Sequence, residues 1–90
     1  LPEARHVPLG HDIVAHCPLM RQWEQPWRAL HRRPCHPRAD VRYYANATGG
    51  GIVPWDPDAI ADALTGQAVE TVDFRRVVEA AYADGVRIFV

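Results

Sequence analysis

The chain has 90 residues, 48% of them apolar and 23% charged, the balance of one small globular domain, or of a piece of a larger one, rather than of a disordered segment. Ten basic and eleven acidic residues leave a formal net charge of −1, so the electrostatic footprint of a nucleic-acid or anionic-membrane binder is missing. All the basic residues are Arg, with neither Lys nor Ser anywhere, and the two cysteines, Cys17 and Cys35, make no disulfide framework.

The opening "LPEARHVPLG" has no basic stretch followed by an apolar core, so it does not read as a signal peptide. No apolar run approaches the roughly 18–20 residues of a membrane span, and a reducing cytoplasm is the expectation. Residues 5–9, "RHVPL", read as a short strand that Pro8 and Gly10 end. Residues 18–31 read as a helix with Pro18 in its first turn. Leu19, Met20, Trp23, Trp27 and Leu30 recur there at helical spacing, while Pro26 should kink or shorten the element. "RRPCHPRAD", 32–40, is a loop, and "VRYYANA", 41–47, reads as a strand that "TGGG" breaks. "IVPW" is a short extended run.

Asp56, Pro57 and Asp58 form a helix start, with Ile60, Ala63 and Leu64 as the buried stripe. A further helix is expected over about 72–84, striped by Phe74, Val77, Val78, Ala81 and Tyr82, with Gly85 as its left-handed stop. "VRIFV", 86–90, then reads as a strand on which the chain stops. Strand, helix, strand, helix, helix, strand argues for an α/β fold with short, mostly parallel strands and flanking helices. The expectation is a fragment of a larger α/β domain, truncated at both ends.

Among residues that could carry chemistry, His16 comes first. It follows the apolar run Ile13-Val14-Ala15 and precedes a helix, a place where α/β enzymes put catalytic groups. On pattern alone a loop histidine without a role has the better claim. His6, His11 and His16, with His31, Cys35 and His36, raise a zinc site. Five-residue spacing turns side chains by about 140° per step on a helix and alternates faces on a strand. No paired-cysteine or H-x-x-x-H pattern occurs, so metal binding is set aside. Cys17 is a poor partner for His16, because neighbours in an extended chain point to opposite sides. "TGGG" lacks the Lys and Ser/Thr of a phosphate loop and reads as a turn.

"HVPLGHDIVAHCPLM" resembles the segment around the active-site histidine of malonyl-CoA:acyl-carrier-protein transacylases and of the acyltransferase domains of polyketide synthases. "VRYYANATG" and "DAIADALTGQAVETVDFRRVVEAAYADGVRIFV" are similar to later segments of that family, so the resemblance covers essentially the whole chain. The "LHRRPCHP" loop and the "ALTGQAVETVDF" run look more like the synthases of enediyne or polyunsaturated fatty-acid assembly. The resemblance implies the C-terminal portion of an α/β-hydrolase-like acyltransferase core, residues 1–90 following a ferredoxin-like subdomain. It implies that His16 is the general base to a serine upstream, in a Gly-His-Ser-x-Gly motif. It places Gln67 where a backbone carbonyl orients the histidine ring.

The substrates implied are an acyl-CoA, malonyl in the family, and the phosphopantetheine of an acyl carrier protein; no cofactor is expected to be held by these residues. The partners implied are the remainder of the acyltransferase domain and its synthase, and the carrier protein, with no nucleic acid and no membrane. None of the ten Arg residues takes the family's carboxylate-binding role. Ile13, Val14 and Ala15, the triplet that tracks extender choice in the family, match neither common pattern. The alternative is a non-catalytic α/β interaction or scaffold module, with Trp23, Trp27 and Trp55 as an exposed aromatic surface.

Overall fold

Asp56 sets the central helix. Its carboxylate accepts the N–H groups of Asp58 (3.0 Å) and Ala59 (2.9 Å), and Pro57 loses nothing at the first helical position. The result is α2, Pro57–Val69, in a computed structural model that describes residues 7, 8, 10 and 14–90. Ala61, Ala63, Thr65, Ala68 and Val69 of α2 are all buried, because small side chains on several faces let neighbours approach from several sides. Ile60 and Leu64 are only half-buried.

The segment before it divides at Pro26. A continuous α-helix would need an N–H at that position. Instead the chain runs as 3₁₀-helix over Pro18–Trp23 and restarts as α1, Glu24–His31. Pro26 thereby falls in the first turn of α1, where backbone donors have no intrahelical acceptor. Asp73 caps α3, Phe74–Ala83, by accepting the N–H of Arg76 at 3.1 Å, and Gly85 follows at φ +100°. Of the stripe expected on α3, Ala81 is buried, but Phe74 is 72% exposed and Tyr82 is also exposed.

The α/β expectation is overturned. Among the described residues there is no strand and no sheet, so the chain is not a parallel-stranded layer of an α/β-hydrolase-like core. Segment 41–47 makes one isolated antiparallel bridge, Tyr44 to Ile52, flanked by Val53 N–H to Tyr43 carbonyl at 2.8 Å. The intervening residues leave the extended conformation at once, through a 3₁₀ turn at Asn46–Thr48 and a left-handed Gly49. Residues 86–90 have no ladder partner among the described residues, and β-rich composition without a neighbouring strand makes no sheet. Residues 7 and 8 are not in a strand; the rest of the 5–9 run lies outside the described residues.

The elements spread into a slab of 42 × 37 × 18 Å with a radius of gyration of 15.3 Å, against about 12 Å for a compact chain of this length. No large side chain is fully buried among the described residues. No helix among them is long and apolar enough to cross a membrane.

Ion pairs therefore matter to how α1 sits on α2. Arg32 grips Asp58 with both prongs of its guanidinium (2.8 and 3.1 Å), and Arg28 bridges Asp58 (2.9 Å) and Asp62 (2.5 Å). The hydrogen bonds from Arg32 and then Arg28 hold the Asp58 carboxyl down at about 2. A depressed folded-state value contributes stability above the ordinary carboxylate range and loses it as pH falls. Thermal stability should accordingly drop between about pH 4 and pH 2. In Asp58→Asn that part of the slope should be gone, an outcome read from melting temperatures across the window. An unchanged slope would remove Asp58 from the account.

Candidate functional site

The last turn of α2 leaves two carbonyls without helical partners. Glu70 N–H bonds back to Gly66, the chain turns extended, and the carbonyls of Gln67 and Ala68 remain to accept other donors. His16 takes both. Its backbone N–H donates to the Ala68 carbonyl at 2.8 Å. Its ring Nδ1 lies 2.6 Å from the Gln67 carbonyl oxygen. A carbonyl oxygen can only accept, so Nδ1 carries a proton, and whenever the ring is neutral the lone pair is on Nε2. Nε2 has no hydrogen-bond partner among the described residues.

This double anchorage holds the residue in a conformation it would not otherwise favour. His16 is the one non-glycine residue at positive φ among those described, at +58°, where an L-residue loses about 1–2 kcal/mol. Residues held in such regions concentrate at functional sites. The side chain stays exposed, at the edge of a groove of about 320 Å³, a volume in the range of small-molecule pockets.

Two elements build the far walls. α1 contributes Trp27 and His31, one turn apart, and α2 contributes Leu64 and the Gln67–Ala68 end; Met20 comes from the 3₁₀ segment. Val14 and Ala15, ahead of the histidine, also line the groove, whereas Ile13 lies outside the described residues. His31 donates from Nδ1 to the Trp27 carbonyl at 2.8 Å, and its ring packs on the indole with centroids 4.7 Å apart. The groove is thus apolar-walled with two imidazoles, each held through Nδ1 by a backbone carbonyl. The Arg28 and Arg32 pairs with Asp58 and Asp62 fix α1, and with it His31, against α2.

The structure brings His16 and Gln67 together across 51 positions of sequence. It does not gather the histidines and cysteines into a ligand set: among the described residues no three His, Cys, Asp or Glu side chains converge as metal ligands, and His6 and His11 lie outside them. Cys17 and Cys35 are free thiols. The three tryptophans fall on three different segments, the 3₁₀ run, α1 and the turn before α2. Trp23 is exposed and Trp27 faces the groove. Trp55 donates to the Val41 carbonyl at 3.3 Å and packs on Tyr43.

The sequence offers no sign that His31 lines a groove beyond the Trp27–His31 spacing on α1, one turn apart on the face toward α2. It shows Met20 and Trp27 only as part of a helical stripe and Leu64 as part of a buried one. Chemically, a neutral imidazole with Nδ1–H fixed and Nε2 open is arranged to accept a proton from a ligand or nucleophile entering the groove. No protein-family model, curated protein or solved structure gave a significant match to this chain.

Proposed function

We propose that the chain is part of an acyltransferase that moves an acyl group, malonyl by the resemblance, from coenzyme A to the phosphopantetheine thiol of an acyl carrier protein in the cytoplasm. His16 is its general base. The observation that carries this reading is the 2.6 Å contact between His16 Nδ1 and the Gln67 carbonyl, which leaves Nε2 as the basic nitrogen at the groove. The nucleophile is a serine outside these 90 residues, since the chain has none.

In the first half-reaction, Nε2 accepts the serine hydroxyl proton as the oxygen attacks the thioester carbonyl. The C–S bond then breaks, and the departing CoA thiolate takes that proton. In the second, Nε2 accepts the proton of the carrier's thiol, the sulfur attacks the acyl-serine ester, and the serine oxygen is reprotonated as it leaves. Gln67 fixes the ring's tautomer and orientation throughout by accepting from Nδ1.

The test uses the natural protein at its native length with labelled malonyl-CoA and a phosphopantetheinylated carrier. Label should appear on a serine and pass to the carrier. A native protein that forms no acyl-serine overturns the reading. Exposed Leu19 and Trp23 on the 3₁₀ segment favour a second reading, an interaction module without chemistry, and that result would support it.

A further inference from the structure

We infer that Asn46 is a positioning residue for His16, acting through the C-terminal turn of α2; the inference rests on the reading of His16 as the base. The carbonyls that hold His16 belong to Gln67 and Ala68. Where those oxygens point depends on how the chain leaves α2. After Val69 the backbone turns extended at Glu70, φ −120° and ψ 160°, and three residues later Asp73 caps α3.

One side chain clasps that exit from both sides. The Asn46 amide nitrogen donates to the Thr71 carbonyl at 3.0 Å, and its amide oxygen accepts the Asp73 N–H at 2.5 Å. The loop from α2 to α3 has no sheet to lean on, so this amide takes the place of a neighbouring strand.

Asn46 is itself held firmly. It opens the 3₁₀ turn Asn46–Thr48, which Thr48 ties down with its one hydroxyl proton, shared between the Gly51 carbonyl at 2.7 Å and the Ala45 carbonyl at 3.0 Å. The turn also bears directly on α2. Ala47 approaches so closely that a Cβ on Gly66 would stand 2.6 Å from the Ala47 Cβ. Gly66 is the residue just before Gln67 and supplies the carbonyl of the last helical hydrogen bond. The turn therefore fixes the final turn of α2 at Gly66, through Ala47, and again at Thr71 and Asp73, through Asn46. The two carbonyls that set the histidine lie between these points. His16 is not touched by Asn46, so the coupling runs through backbone.

The experiment reads the imidazole itself. Nitrogen NMR of the native-length protein labelled with 15N-histidine should show His16 with Nδ1 protonated. In Asn46→Asp, which keeps an acceptor for Asp73 but sets a carboxylate against the Thr71 carbonyl, the ratio of Nδ1–H to Nε2–H forms at His16 should fall about fivefold or more, the worth of one net hydrogen bond. His31, whose carbonyl partner lies within its own helix, should keep its tautomer and so report an intact fold. Asn46→Gln, with both groups on a longer arm, should recover part of the ratio.

A folded Asn46→Asp chain with His16 still locked overturns the inference and leaves the base assignment standing. A wild-type His16 lacking Nδ1–H overturns both. Should the variants not fold, hydrogen exchange in the wild type decides: the Asp73 amide and the His16 Nδ1–H should open together, and a His16 proton that persists after the Asp73 amide has exchanged overturns the coupling.

Discussion

Gly50→Ala should destabilise the chain by about 2–5 kcal/mol. Gly50 is buried at φ +88°. A Cβ there would stand 2.7 Å from the Arg76 carbonyl oxygen, 3.0 Å from its carbon and 3.2 Å from Val77 Cα. All three are backbone atoms of α3, so no side chain can swing aside and the helix must move. Positive φ alone costs a non-glycine residue about 1–2 kcal/mol, and forcing apart a packed contact adds about 1–3 kcal/mol.

Gly85→Ala separates the two contributions. Gly85 sits at φ +100°, and a methyl group there would meet nothing within 4 Å, so it should show only the conformational part. For a domain of this size the Gly50 change corresponds to a fall in melting temperature of roughly 8–40 °C. Denaturant titrations of both variants give the comparison. Equal losses at the two positions would mean that the approach of α3 to Gly50 is not a stabilising contact.

That contact also shows why part of the fold was hidden in the sequence. Asp56-Pro57-Asp58 announces α2, and Gly85 announces the end of α3, because caps and stops are local chemistry within a few residues. "VRYYANA" and "VRIFV" misled for the opposite reason. Their composition suits a strand, yet a strand exists only beside another, and the one pairing present among the described residues is the Tyr44–Ile52 bridge. "TGGG" was legible as a turn but not as the seat of α3, since the Arg76 backbone that needs Gly50 bare lies 26 positions away. Gln67 met His16 in the sequence only through family resemblance; nothing in their 51-residue separation advertises a contact. His31 was visible as an imidazole but not as a neighbour of His16, because the side of α1 that meets α2 is chosen by Arg28 and Arg32 pairing with Asp58 and Asp62.

His16→Asn should lower the rate of acyl transfer by the native-length protein about 10²–10⁴-fold, the range lost with a general base, while costing the fold no more than about 1 kcal/mol, the net worth of the lost Nδ1 hydrogen bond. The choice of Asn matters. Position 16 sits at φ +58°, and Asn is among the few residues that enter the left-handed region readily. Its backbone N–H can still donate to the Ala68 carbonyl as the histidine's does. The substitution thus removes the imidazole and spares the backbone, whereas His16→Ala would mix lost chemistry with a conformational penalty. If the loss lies in kcat with KM little changed, the ring acts in the transition state rather than in holding substrate. Gly at the same position should stabilise the chain slightly, because it releases the positive-φ strain, and should be as inactive as Asn. Stability and turnover would then move in opposite directions at one residue, the pattern of a strained functional group. Transfer within tenfold of the wild-type rate in a folded His16→Asn protein would leave the imidazole with no catalytic task, and its grip on the Gln67 carbonyl would be only a way of closing the end of α2.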